Sequence, residues 1–205
     1  MLCAPSTAKP SIPIFRCPSD PEVKPFGISY SWTTTSARGE GPLAYHQSRQ
    51  PRDIVDGLSN TTCLSETLAF FAWDDPRVHP LPSTVPRGWG PRFFWTVPTS
   101  TPFSIEEFRQ QCASATNFDV AEGDHDKGYC AEPLYDHLQT PNQRPCTETG
   151  PPTTWLQSFP ASSAHSGGVN ALFCDGHVQF ISDVIDAKVW HAMATIDNQD
   201  SIATQ

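Results

Sequence analysis

AHSGGVNALFCDGHVQFI, residues Ala164 to Ile181, carries more of the fold than any other stretch of this chain. It reads as a β-hairpin, two apolar-alternating strands joined by Asp175-Gly176. A two-residue Asp-Gly loop suits a type I′ turn, which needs positive φ at both central positions. Pairing outward from that turn sets Phe173 against Val178 and Ala171 against Phe180 on one face. Cys174 with His177, and Leu172 with Gln179, then fall on the other. The face bearing Phe173, Val178 and Phe180 is the expected core side. Gly167-Gly168 predicts a positive φ or a close backbone approach just before the first strand.

Nine residues separate His165 from Asp175-Gly176. That spacing resembles the C-terminal signature of the large planctomycete-type family of pseudopilin-like proteins, known by its H-x9-DG motif. CPSDP, Cys17 to Pro21, resembles the family's Cys-Pro-Ser-Asp element. DIVDGLSNTTCLSE, Asp53 to Glu66, resembles its Asp-Gly-x-Ser-Asn-Thr element, which runs into a strand and a glutamate. VIDAKVWHAMAT, Val184 to Thr195, is similar to its closing helix, while Pro76 to Pro160 matches loosely.

The resemblance implies an α+β, β-rich fold of pseudopilin-head type. Its parts would be a twisted antiparallel sheet ending in the hairpin, short helices beside it, and long Pro-rich loops. It also implies an extracytoplasmic structural subunit, related to type II secretion, that assembles with itself into a filament or fibril. In that family a prepilin-type helix serves as export signal and filament core. Here CPSDP arrives within the first twenty residues. The expectation is therefore either a processed or truncated piece, or a variant that dispenses with the helix. Contact with a membrane would need that helix.

Composition agrees with a β-rich domain. The chain has 205 residues, enough for one domain with a real core. Its 21 prolines cut elements short and favour extended or looped chain over a helical bundle. The formal charge of −9, with no basic cluster, disfavours a nucleic-acid partner, since phosphate binding needs concentrated Lys and Arg. Seven cysteines without a C-x-x-C pair suggest neither a zinc ribbon nor a thioredoxin-like site. In an exported chain some would form disulfides, and Cys112, Cys130 and Cys146 surround the irregular middle that gains most from crosslinking.

The expected organisation is an extended arm over 1–13, one globular domain over 14–197 and a polar tail over 198–205. Strands are expected around Ile14 to Arg16 and Gly27 to Trp32, and from Thr61 to about Trp73. Another short one holds Phe93-Phe94-Trp95. Ser104 with Glu107 forms a capping box for a helix reaching about Ala115, its face built from Ile105, Phe108 and Cys112. A second helix starts at Asp186 and ends near Thr195.

Several residues invite a chemical reading. His165 and Asp175, with Ser163 and Ser166 adjacent, suggest a nucleophilic site, yet no G-x-S-x-G elbow is present. Asp175 is better explained by the turn it occupies. His165, Asp175 and His177 could supply metal ligands, but a solvated His177 is the simpler reading. Asp124, Asp126 and Glu132 could hold calcium on a Gly-containing loop, against a plain solvated acidic loop. Calcium is the one cofactor left open, and none is required. Asn60-Thr61-Thr62 is a candidate glycosylation acceptor.

The preferred role for the signature residues is structural. Asp20, beside Cys17 and before Pro21, is expected in an Asx-type turn, and Asp56 with Gly57, Ser59 and Asn60 does similar work. Glu66 either faces water or pairs with a buried donor. Asn170 joins His165, Gly167, Gly168, Asp175 and Gly176 in the same structural set. No motif supports an enzyme. The rival function is a carbohydrate- or ligand-binding module using Trp89, Phe93, Phe94, Trp95 and Trp155 as stacking platforms, with burial in the core preferred for those rings.

Overall fold

The computed structural model describes residues 14, 17–19, 30–33, 41–43, 48–67, 93–98, 104–115, 118–120, 134–143, 146–149 and 157–197. Over these residues the chain is an α+β protein with two sheets. The first uses β1 (Tyr30–Thr33), β2 (Thr62–Glu66), β5 (Leu134–Tyr135), β8 (Gly168–Phe173) and β9 (Val178–Ser182) in the order β5-β1-β2-β8-β9. The second uses β3 (Phe93–Pro98), β4 (Phe118–Val120), β6 (Cys146–Thr149) and β7 (Gln157–Ser158) in the order β4-β3-β6-β7. The expected antiparallel pattern runs through β1, β2, β8 and β9, but each sheet also contains one parallel pair, β1 with β5 and β3 with β6. Ile14, expected in a strand, has 3-10 backbone geometry and is exposed, while Phe15 and Arg16 lie outside the described residues.

The hairpin forms one residue out of the expected register. Leu172 pairs with Val178 and Ala171 with Gln179. Phe173 N–H donates to His177 O and Gly176 N–H to Phe173 O, both at 2.9 Å. The loop therefore has three residues, Cys174 to Gly176, closed by a glycine at φ 95°. Asp-Gly fits that three-residue turn as well as a two-residue one. The context decides, because Cys174 and Asp175 donate their N–H groups to Thr61 O and Leu58 O at 2.9 and 3.1 Å. A slip of one residue exchanges the faces of a strand. Ala171, Phe173 and Ile181 are buried, whereas Val178 is 63% and Phe180 48% exposed. The expected core placement of Val178 and Phe180 is thus corrected.

Both helices start where their caps predict. α1 (Ile105–Ser114) begins at Ser104, whose hydroxyl accepts from Glu107 N at 3.2 Å while its own N–H donates to Glu107 Oε2 at 2.7 Å. α2 (Ala187–Ala192) begins at Asp186, whose carboxylate accepts from Lys188 N and Val189 N. α1 buries Phe108 and Cys112, and Cys112 is disulfide-bonded to Cys146 on β6. α2 buries Trp190.

Two apolar clusters result. Tyr135, Ala161, Val169, Ala171, Phe173, Ile181 and Trp190 form one; Val97, Phe108, Cys112, Leu138 and Cys146 form the other. The buried run Tyr135 to Gln139 supplies Tyr135 to the first and Leu138 to the second. Its polar members are satisfied internally. The Asp136 carboxylate accepts from Leu138 N at 2.9 Å, Ser158 Oγ at 3.0 Å and Phe159 N at 2.5 Å. The Arg109 side chain bonds Leu138 O and Ala187 O, tying α1 to this run and to α2. His137 Nδ1 lies 2.6 Å from Trp190 O, its ring stacks on Trp190 at 3.6 Å, and Nε2 faces Tyr135 OH and Thr62 Oγ1.

Burial pushes the His137 ring down to about 3, against the bond to Trp190 O, and burial lifts the Asp136 carboxyl to about 6 against its three donors. The unfolded chain protonates His137 from its ordinary 6.5 downward, so this contribution to stability is lost as pH falls from 6.5 towards 3. Asp136 acts in the opposite sense: its contribution is complete below 3.8 and is lost as pH rises through about 6. The two slopes, each about 1.4 kcal/mol per pH unit, offset where they overlap, so the ring itself is the clean reporter. NMR of the folded protein should find the His137 resonances unchanged from neutral pH down to about pH 4. A midpoint near 6.5 would contradict the packing described here.

Candidate functional site

Glu66 ends β2, and the chain's signature segments meet at its carboxylate. The residue is 3% exposed. Oε2 accepts from the backbone N–H of Asn170 on β8 at 2.8 Å, and Oε1 from the Asn170 side-chain amide at 3.2 Å. His165 Nε2 lies 3.1 Å from Oε1, and Cys17 Sγ, buried, lies 3.5 Å from the same nitrogen. Of the two alternatives open to Glu66, pairing with buried donors is the one realised.

The loop that carries His165 is itself fixed. Ser162 N–H donates to Glu66 O at 2.9 Å, and His165 N–H to Ser163 Oγ at 3.0 Å. Asn142, at φ 61°, presents Oδ1 to Ser163 N at 2.9 Å while its own N–H donates to Ala161 O. Sequence reasoning missed Asn142. The signal was Thr140-Pro141-Asn142-Gln143, a type II turn with proline first and asparagine in the left-handed position.

Gly168 starts β8, and a Cβ there would stand 2.1 Å from Ile181 O and 2.8 Å from Phe180 Cζ. Only a glycine lets β8 and β9 come this close. Gly167 takes the positive φ of 79°.

The Asp53 to Glu66 segment forms a junction. Asn60 Nδ2 donates to Asp56 O at 2.8 Å, Thr195 Oγ1 to Asp56 Oδ2 at 3.4 Å, and Thr61 Oγ1 contacts both Gly57 O and Thr195 O. Gly57 sits at φ 96°, and Ser59 and Asn60 are exposed. Thr62 of the candidate glycosylation acceptor is buried and donates to Met193 O at 3.0 Å. This loop therefore joins the hairpin turn to the exit of α2.

Asp175 and His177 form a separate pair at the hairpin tip, Oδ1 to Nδ1 2.6 Å, with the His177 ring stacked on Phe173. The His177 backbone N–H and then its ring hold the Asp175 carboxyl below its ordinary value. His165 belongs to the Glu66 cluster instead, so these three residues do not form one metal site. Cys63 and Cys174 are free, half-buried and hydrogen-bonded thiol to thiol; that bond pulls Cys63 down to about 7 and pushes Cys174 up. Asp20, Asp124, Asp126, Glu132, Trp89 and Trp155 lie outside the described residues, as do the arm over 1–13 and the tail. Of Phe93, Phe94 and Trp95 only the backbone, in β3, is described.

A Cys–His–Glu relay would set the carboxylate on one ring nitrogen and the thiol on the other. Here both meet Nε2, so the cluster does not have relay geometry. The fold and site define an α+β protein whose motif segments are clasped around one buried carboxylate. The family model described as "Protein of unknown function (DUF1559)", SBP_bac_10, matches residues 2–188, and the chain belongs to that planctomycete-type family. No curated protein and no solved structure matches the chain.

Removing the Glu66 carboxylate strands two Asn170 donors and the His165 ring. Glu66→Ala should cost about 2–5 kcal/mol of stability in urea unfolding, from the price of unpaired buried donors. His165→Ala, one-third exposed in its side chain, should cost about 1 kcal/mol. A Glu66→Ala loss below ~0.5 kcal/mol would contradict the clasp, since an ordinary surface change stays within that range.

Proposed function

We propose that this protein is a non-enzymatic structural subunit, a pilin- or pseudopilin-like globular head that acts outside the cytoplasm and self-associates into a filament or fibril. The observation that carries the reading is the outer strand of the first sheet. β9 ends the strand order, and no strand pairs with its outer edge among the described residues. Its Val178 and Phe180 project apolar surface into solvent, and Val184 (86% exposed) and Val189 (48% exposed), after β9 in the chain, are exposed apolar residues as well. An unpaired edge with exposed apolar side chains is a template for another chain. A second copy of this protein is the occupant the family resemblance implies.

Two further observations support the reading. The described motif residues direct their polar groups to backbone and to one another. The Cys112–Cys146 disulfide fits an oxidising compartment.

Negative-stain microscopy and sedimentation velocity test the proposal. The native protein should give filaments or polymers that grow with concentration. Val178→Lys should remove them and leave the unfolding transition intact, since that residue is mostly exposed. Phe180→Lys should remove them with some loss of stability, because its ring also lies against Gly168. A protein that stays monomeric at every soluble concentration would overturn the assembly role.

A further inference from the structure

The Cys17, Glu66 and His165 ligand atoms lie within 4.8 Å of one another. We propose that these three side chains bind one divalent cation of borderline softness, zinc being the ion the donor set favours, with solvent as the fourth ligand. The site is independent of the assembly role, and it gives the buried cysteine of CPSDP a task that hydrogen bonding alone does not require.

Four observations carry the inference. The first is convergence on a single nitrogen. Cys17 Sγ and Glu66 Oε1 both approach His165 Nε2, at 3.5 and 3.1 Å. Side chains that share a cation crowd one another in this way. The second is spacing. Tetrahedral zinc, with bonds near 2.3 Å to sulfur and 2.0–2.1 Å to nitrogen and oxygen, sets S···N about 3.5 Å and N···O about 3.3 Å apart. The two separations in the protein are close to those values. The third is donor chemistry. Thiolate, imidazole and carboxylate suit zinc, whereas calcium requires an all-oxygen shell. The fourth is the surrounding support. Asn170 holds both oxygens of Glu66 through its backbone and side-chain N–H groups, the outer bonding that a ligating carboxylate needs.

Charge also balances. One divalent cation with a thiolate and a carboxylate is neutral overall, which suits a cluster whose Cys17 and Glu66 are buried. Binding replaces the Cys17 S–H bond by a sulfur–metal bond and releases that proton to solvent. His165 ligates as the neutral ring through the Nε2 lone pair. The side chain of His165, one-third exposed, leaves the site accessible to water on its own side.

The test is a titration of the full chain, stripped with chelator and without an affinity tag, with Zn²⁺ and in parallel with Co²⁺. The expected result is one equivalent bound, a raised Tm, and cobalt absorption of tetrahedral type with a thiolate charge-transfer band. Cys17→Ser should remove that band and lower affinity at least tenfold, and Asn170→Ala should lower it by about 10–100-fold through the freed carboxylate. Cys63→Ser should bind as the native chain does, which separates this site from the Cys63–Cys174 thiol pair. The inference is overturned if the folded native chain binds no equivalent, or if binding survives Cys17→Ser and fails in Cys63→Ser.

Discussion

A carboxylate taken out of water costs several kcal/mol unless hydrogen bonds replace the lost hydration, so a buried glutamate dictates what must stand around it. Glu66 imposes that condition here. Its two oxygens take the backbone and side-chain N–H groups of Asn170, and one of them takes His165. Its own carbonyl takes Ser162 N–H. These bonds bring together segments 99 and 104 residues away in sequence. Cys17, 148 residues from His165, closes the group at that ring. Strand order β2-β8 and the path of the loop before β8 both follow from satisfying this one side chain.

Two other constraints complete the scaffold. The loop from Ile54 to Thr61 accepts N–H groups from the hairpin turn and from the start of β2 outward meets the carbonyls after α2. It thereby fixes the turn length and, through that, which side of β9 faces solvent. The run from Tyr135 to Gln139 joins the two apolar clusters, and its polar groups are paired through Asp136 and His137. The Cys112–Cys146 disulfide then holds α1 against β6 in the second cluster.

Local signals were legible where chemistry acts within a few residues. Ser104 with Glu107 and Asp186 marked both helix starts, and Asp175-Gly176 marked the hairpin. The register was not, because the same dipeptide serves a two-residue and a three-residue loop, and distant acceptors at Leu58 and Thr61 choose between them. The family motifs pointed to Glu66 and His165 as structural residues, but nothing in their spacing gave their mutual contact or the arrival of Cys17 beside them. The middle of the chain was least legible. Its prolines mask strand periodicity, so neither the buried Asp136–His137 pair nor the second sheet beyond its strand at Phe93-Phe94-Trp95 could be read there, although Pro141-Asn142 did encode a turn.

The backbone amide of Asn170 reports most directly on the central claim, because its hydrogen bond runs to the Glu66 carboxylate. Native-state hydrogen exchange at that amide should be as slow as in the buried centre of β8. Exchange at the rate of an open loop would mean that the carboxylate does not hold the strands, and the account built on it would fail.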